Sequence, residues 1–211
     1  MNKIRQIILA SGSPRRREIL EGLGLDIRVL VPDADETCSL TDPAALVQEL
    51  SVRKWQAARQ LLISRGESLD GTIMIASDTV VACEGKILGK PHDRNHAEAM
   101  MRLLSGREHS VFSGIAVSCG ETVAAGFDET RVRFSHISEE ALGWYIDNST
   151  YLDKAGAYAI QEDAAMFIRG IEGDFFNVVG LPVSRLCMLT EQKLGIPFYT
   201  LTSHNSKGGQ K

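Results

Sequence analysis

No apolar stretch in this sequence reaches the length that a membrane-spanning helix needs. The opening residues, Met1-Asn2-Lys3-Ile4-Arg5-Gln6, run straight into a short apolar segment and offer no secretory signal core. Cysteine is scarce. Cys38, Cys83, Cys119 and Cys187 stand far apart, with no C-x-x-C pair and no histidine at zinc-finger spacing. Scattered thiols of this kind fit a reducing compartment, so a cytoplasmic location is expected. A dominant charge is missing too. Lys+Arg number 23 against 27 Asp+Glu, and the net charge of -4 argues against broad binding to nucleic acid or anionic membrane. It leaves room for a local basic pocket. The Walker order G-x-x-x-x-G-K-[ST] is absent, as are internal repeats and interdomain linkers.

What is present is ordinary in bulk, with 44% hydrophobic and 24% charged residues in a chain of 211. That length suits one α/β domain or two small lobes. The chain is organised around Ile7-Ile8-Leu9-Ala10-Ser11-Gly12-Ser13-Pro14-Arg15-Arg16-Arg17-Glu18-Ile19-Leu20, which reads as strand, loop and helix. Ile7–Ala10 suits a buried parallel strand. Ser13 is a good N-cap and Pro14 suits the first helical position. Arg15, Arg16 and Arg17 then fall in the first turn, the wrong sign for the helix dipole. Either the turn is a solvated basic face, or a phosphate group sits there on free N–H groups, serine hydroxyls and arginine forks.

Further along, Ile27–Pro32 reads as a strand emptying into the acidic loop Asp33-Ala34-Asp35-Glu36, a solvated loop or a cation site. Asp42 caps a long amphipathic helix over 43–64, with Val47, Leu50, Ala57, Ala58 and Leu61 at helical spacing. Lys54 lies on that apolar stripe, where it either snorkels to water or reaches into a pocket. Thr72–Cys83 is the most strand-like segment, and Asp78 interrupts it. A buried lone carboxylate is expensive, so Asp78 is the best candidate for an active-site acid, its alternative being a structural carboxylate. Glu84-Gly85-Lys86 predicts a tight hairpin, and Asp93 caps a helix carrying Ala97, Met100, Met101 and Leu104. His92 and His96 straddle that cap and read as a solvated pair. Two long strands follow over 111–118 and 122–134, then a helix capped by Ser138. The small residues of 151–161 let backbone approach a ligand. Residues 165–171 read as a strand and 175–180 as a short extended piece. Pro182 opens a last helix through Leu194, and the polar tail over 203–211 is expected to be disordered.

The motif Leu9-Ala10-Ser11-Gly12-Ser13-Pro14-Arg15-Arg16 resembles the opening signature of the Maf-like nucleotide pyrophosphatases. So do Asp35-Glu36, Lys54, Ser77-Asp78-Thr79-Val80-Val81, Gly89-Lys90-Pro91, Leu104-Ser105-Gly106, Asp153-Lys154-Ala155-Gly156-Ala157-Tyr158 and Asn177-Val178-Val179-Gly180-Leu181-Pro182. Order and spacing hold from about Ile7 to the last helix. The resemblance implies a mixed α/β fold of the inosine-triphosphatase-like kind: a twisted sheet with flanking helices, two lobes around a deep cleft, and residues 1–202 as a single domain. It implies hydrolysis of nucleoside triphosphates to monophosphate and pyrophosphate with Mg²⁺ or Mn²⁺, in a homodimer; the charge balance and the lack of long apolar runs add the expectation of no stable nucleic-acid or membrane partner. The chain is most similar to the subgroup acting on dTTP and UTP.

The resemblance also implies roles. Arg15, Thr79 and Gln161 would select the base, and Ser11, Ser13, Arg16, Lys54 and Lys90 would bind phosphates. Glu36 and Asp78 would hold the cation, with Asp78 also catalytic, orienting water toward the α-phosphorus. A glutamine amide, both donor and acceptor, can pair with the imide edge of uracil or thymine. Glu162, where the family often has glycine, adds charge beside this pocket. Two other readings are compatible: a pyrophosphatase for deaminated or modified purine triphosphates, and a nucleotide-binding regulator of cell division that inhibits septum formation without relevant turnover.

Overall fold

The computed structural model describes residues 4–202; the expected tail over 203–211 lies outside them. The chain runs β1 (Gln6–Leu9), α1 (Pro14–Gly22), β2 (Ile27–Val29), α2 (Pro43–Ser64), β3 (Thr72–Cys83), β4 (Lys86–Leu88), α3 (Arg94–Leu104), β5 (Glu108–Cys119), β6 (Thr122–Phe134), α4 (Glu139–Asn148), β7 (Ile168–Glu172), α5 (Phe175–Val179) and α6 (Val183–Leu194). Seven strands form one mixed sheet, in the order β2-β1-β3-β5-β6-β7 with β4 against β3. β1 pairs parallel with both β2 and β3, because α1 and α2 act as crossovers. The remaining pairings are antiparallel.

Strand alternation sorts the core into faces. Ile7, Leu9, Ile73, Ile75, Ile115 and Val117 pack with Leu20 of α1 and Leu186 and Leu189 of α6. Ile8, Met74, Ala76 and Ala116 turn to the opposite face and pack with Trp55, Ala58 and Leu62 of α2. A separate cluster lies further along β3, where Val81, Val111, Val132 and Phe134 meet Met101 and Leu104 of α3 and Tyr145 of α4. These clusters make two lobes, and β3, 12 residues long, runs through both.

The local signals act as their chemistry requires. Asp42 Oδ1 accepts from Ala45 N at 2.8 Å, Asp93 Oδ1 from His96 N at 2.7 Å, and Ser138 Oγ from Ala141 N at 3.2 Å. Glu84 and Gly85 have φ of 49° and 73° and form the two-residue turn between β3 and β4. Four segments differ from expectation. Residues 175–180 form the helix α5, because Asp174 Oδ1 accepts from Phe176 N at 2.8 Å and caps a turn that apolar composition disguises as a strand. Residues 163–167 coil into a 3-10 turn, so β7 begins only at Ile168. β2 stops at Val29, and within α2 the inward positions include Trp55 and Leu62 in place of Ala57 and Leu61.

The packing of α2 on the sheet depends on Gly114 of β5. A Cβ there would lie 2.0 Å from the carbonyl oxygen of Val47. Gly114 is paired with Asp78 across the β3–β5 ladder. The missing side chain therefore lets α2 descend beside the carboxylate, and Lys54 lies two turns beyond Val47 on the same helix face. Gly114→Ala is expected to lower stability by about 1–3 kcal/mol through overpacking and to displace α2. Gly143→Ala, inside α4 with nothing within 4 Å of the new Cβ, is expected to be neutral or stabilising. Urea unfolding of both variants checks the contrast.

His109 of β5 is buried between Phe134 and Tyr158, with edge-on ring centroids 4.9 and 5.4 Å away. Its Nε2 lies 2.8 Å from the Tyr158 hydroxyl, and burial pushes its pKa down to about 4. The unfolded chain takes up a proton near pH 6.5, whereas the folded chain resists until about 4. Stability from this group is thus present above pH 6.5 and falls, by up to about 3 kcal/mol, as pH drops through that window. His109→Gln, which cannot titrate, is expected to flatten the fall in urea midpoint between pH 6.5 and 4. An unchanged slope would remove His109 from the acid response.

Candidate active site

One edge of β3 is paired with β5 continuously from Ile73 to Ala82. The other edge is covered by β1 at residues 72–75 and by β4 at 81–83. Residues 76–80 are left between the two, and a cavity of about 350 Å³ opens there. All ten residues that the sequence singles out line it: Ser11, Ser13, Arg15, Arg16, Glu36, Lys54, Asp78, Thr79, Lys90 and Gln161. They come from the β1–α1 loop, the first turn of α1, the acidic loop, α2, β3, the segment after β4 and the loop before β7.

At the floor, the Lys54 ammonium bonds two carboxylates. It donates to Asp78 Oδ1 and lies 2.9 Å from Glu36 Oε1. The Lys54 and Asp78 side chains are only 15% and 11% exposed, so the pair is shielded, while Glu36 at 59% faces the opening. Burial would raise the pKa of Glu36. The hydrogen bond from Lys54 and the charges of Lys54, Lys90 and Arg16 prevail and hold it below the usual range. The acidic loop thus sends one carboxylate into the pocket. Asp35 instead closes a local turn by accepting from Thr37 N at 2.8 Å.

The three arginines of α1 part company. Arg17 pairs with Glu21 one turn on, at 2.7 Å. Arg16 is buried and gives Nε to Gly180 O at 2.7 Å, Nη1 to Ser11 Oγ at 3.0 Å and Nη2 to Thr79 Oγ1 at 3.1 Å. Burial lowers its pKa, with Arg15 adding to the effect and Asp78 and Glu36 opposing it. Three of its five N–H groups are spent on the protein, so Arg16 braces the pocket as well as charging it. Ser13, expected to cap α1, makes no side-chain cap bond; its own N–H donates to Ser11 Oγ at 3.2 Å. The first N–H groups of α1 therefore face the pocket without a side-chain cap, a standing attraction for an anion.

Arg15 donates to the Asp153 carboxylate at 2.6 Å and to its carbonyl at 3.1 Å. Lys154, 3% exposed, donates to the other Asp153 oxygen at 2.9 Å and to Thr150 Oγ1 at 2.8 Å, and lies 3.3 Å from Glu162 Oε2. Burial would raise the Asp153 pKa, but hydrogen bonds from Lys154 and Arg15 bring it to about 2. The added charges of Glu162 and Asp163 are both occupied, since Asp163 Oδ2 accepts from Ser149 Oγ at 2.7 Å. Reading the residues for chemistry did not single out Lys154. Its signal was its place in the Asp153-Lys154-Ala155-Gly156-Ala157-Tyr158 motif. Nor was the Gly180 carbonyl foreseen, which also accepts from Ser77 Oγ at 3.0 Å and sits at a φ of 122° open to glycine.

His92 and His96 stack with ring centroids 4.1 Å apart, away from this cavity. Among the described residues no group of three or more His, Cys, Asp or Glu side chains is placed to hold a metal by itself, and no helix is long and apolar enough to cross a membrane. The cavity wall carries five basic and three acidic side chains, a surplus of positive charge suited to a polyanion with a cation alongside.

A Ham1 protein of Staphylococcus aureus overlays on 77% of this chain and 91% of its own at 17% identity, with a TM-score of 0.46, which is too low to establish a common fold. The sequence relatives are far nearer. A dTTP/UTP pyrophosphatase of Symbiobacterium thermophilum is 42% identical over 198 residues, 93% of this chain and 98% of its own length. A protein of the same name from Thermotoga petrophila is 41% identical over 206 residues and 98% of both chains. The family model described as "Maf-like protein" matches residues 6–193, and with relatives this similar along nearly their whole length, the chain belongs to the Maf-like family.

Proposed function

We propose that this chain hydrolyses nucleoside triphosphates to the monophosphate and pyrophosphate, with dTTP and UTP preferred. The observation that carries the proposal is the shielded Asp78–Lys54 pair, joined by the more exposed Glu36, in a net-positive cavity. The names of the relatives supply the reaction and the two bases.

Ser11, Ser13 and the open N–H groups of α1 receive phosphate oxygens, and Arg16, Lys54 and Lys90 neutralise their charge. Asp78 orients a water molecule toward the α-phosphorus and takes its proton. The donor set also fits a divalent cation. Glu36 and Asp78 already converge on a single charged atom, and two carboxylates completed by substrate phosphates are what Mg²⁺ prefers. When bound, the cation supplies charge to the pyrophosphate leaving group. Arg15 and Gln161 stand at the rim where the base arrives. The Thr79 hydroxyl is held by Arg16, Ser113 at 2.8 Å and the Gly180 carbonyl, which fixes the orientation of this side chain in the cavity wall.

Asp78→Asn, nearly identical in shape, is expected to lower kcat/KM for dTTP by about 10²–10⁴ while the fold persists. Pyrophosphate release with Mg²⁺ or Mn²⁺, beside a melting curve, measures both. Full activity in this variant would exclude Asp78 as the base. Gln161→Ala is expected to cut discrimination between dTTP and the other triphosphates by about tenfold or more, since an unpaired base edge no longer carries a penalty. An unchanged substrate ranking across a nucleotide panel would assign base choice elsewhere.

A further inference from the structure

We propose that Phe176, with its neighbour Phe175, forms the shelf against which the substrate's nucleobase stacks, making Phe176 a specificity-determining residue beside Gln161. The proposal rests on the pyrophosphatase reading for the identity of the ligand. Phe175 and Phe176 are 41% and 39% exposed, with ring centroids 5.8 Å apart at an interplanar angle of 76°. Two adjacent exposed aromatics on one five-residue helix make a patch that calls for a cover.

The two rings wall a groove of about 320 Å³ together with Ile19 and Leu23 of α1. Its inner end is polar. Arg15 and Gln161 line it, and these two residues and Val179 also line the phosphate cavity. The two spaces therefore adjoin at the residues that would meet the base. A flat ring with a polar edge and an apolar face matches an apolar trough flanked by the Gln161 amide, the Arg15 guanidinium and the Glu18 carboxylate. A triphosphate does not match it.

The shelf is also rigid. Asn177, fully buried, donates from Nδ2 to Val111 O at 2.9 Å and Thr130 Oγ1 at 3.0 Å. Asp174 caps the helix, and the Gly180 carbonyl just beyond it is held by Arg16. The backbone that carries the rings thus keeps a set position relative to the phosphate site, which limits the freedom lost on stacking.

The test uses calorimetric binding of thymidine monophosphate and of deoxyribose 5-phosphate, which lacks a base, to the wild type, Phe176→Ala and Phe176→Leu. Turnover of dTTP is measured in parallel. Phe176→Ala is expected to weaken thymidine monophosphate binding and kcat/KM for dTTP about tenfold, as alanine substitution under a stacked base does, while deoxyribose 5-phosphate binds as to the wild type. Phe176→Leu, which keeps apolar bulk, is expected to fall between. Equal binding of thymidine monophosphate by wild type and Phe176→Ala overturns the proposal, as does an equal loss for both ligands. A smaller sedimenting species with unchanged nucleotide binding would also overturn it and assign the rings to a second copy of the chain. Absence of any triphosphate turnover in the wild type would sink the enzymatic reading, yet the base-dependent difference in binding would still decide the shelf.

Discussion

A carboxylate placed inside a buried strand must be answered, and the answer at Asp78 organises this molecule. Lys54 supplies the opposite charge from α2, and it can do so only because α2 lies close on the sheet. That closeness depends on the absence of a side chain at Gly114, directly across the ladder from Asp78. The ammonium is shared with Glu36, which pulls the acidic loop over the cavity mouth. One helix-to-sheet approach thus sets the carboxylate, the lysine and the loop together. A desolvated ion group is weak evidence for stability, but it is well suited to chemistry, because charge in a shielded site acts at full strength.

The second constraint is the broken edge of β3. A strand edge without a neighbour is normally a hazard that proteins cover. Here β1 and β4 stop short of each other, and the gap becomes the site. Its walls are tied by hydrogen bonds from Arg16 that run across three separate segments, the β1–α1 loop, β3 and the turn after α5. The basic turn of α1, unfavourable for the helix alone, is therefore offset by acceptors from distant parts of the chain. Arg15 finds its own in Asp153, which Lys154 also holds, so the rim near Gln161 is charge-compensated before any ligand arrives.

Much of this was legible before folding. The β1–α1 motif, the α2 boundaries, β3 and the Asp93 and Ser138 caps follow from local chemistry: period, capping residues and turn glycines act within a few residues of themselves. The segment around Phe175 was not, since a stretch with four apolar residues in five suits a strand and a helical turn alike, and the deciding bond comes from the Asp174 cap. Lys54 and Asp78 could each be given two roles from the sequence, because burial and pairing are properties of the packed state.

The sequence by itself determined the family resemblance, the order of the elements and the residue types that converge on phosphate. Those are set by chain-local patterns and by motifs whose order survives in one dimension. The tertiary structure alone decided that Arg16 braces while Arg17 stays at the surface, that one carboxylate of the acidic loop enters the cavity, and that two phenylalanines stand exposed along a groove beside it. Each of these depends on partners far away along the chain, such as Gly180 for Arg16, and such distances close only when the sheet and its helices are assembled.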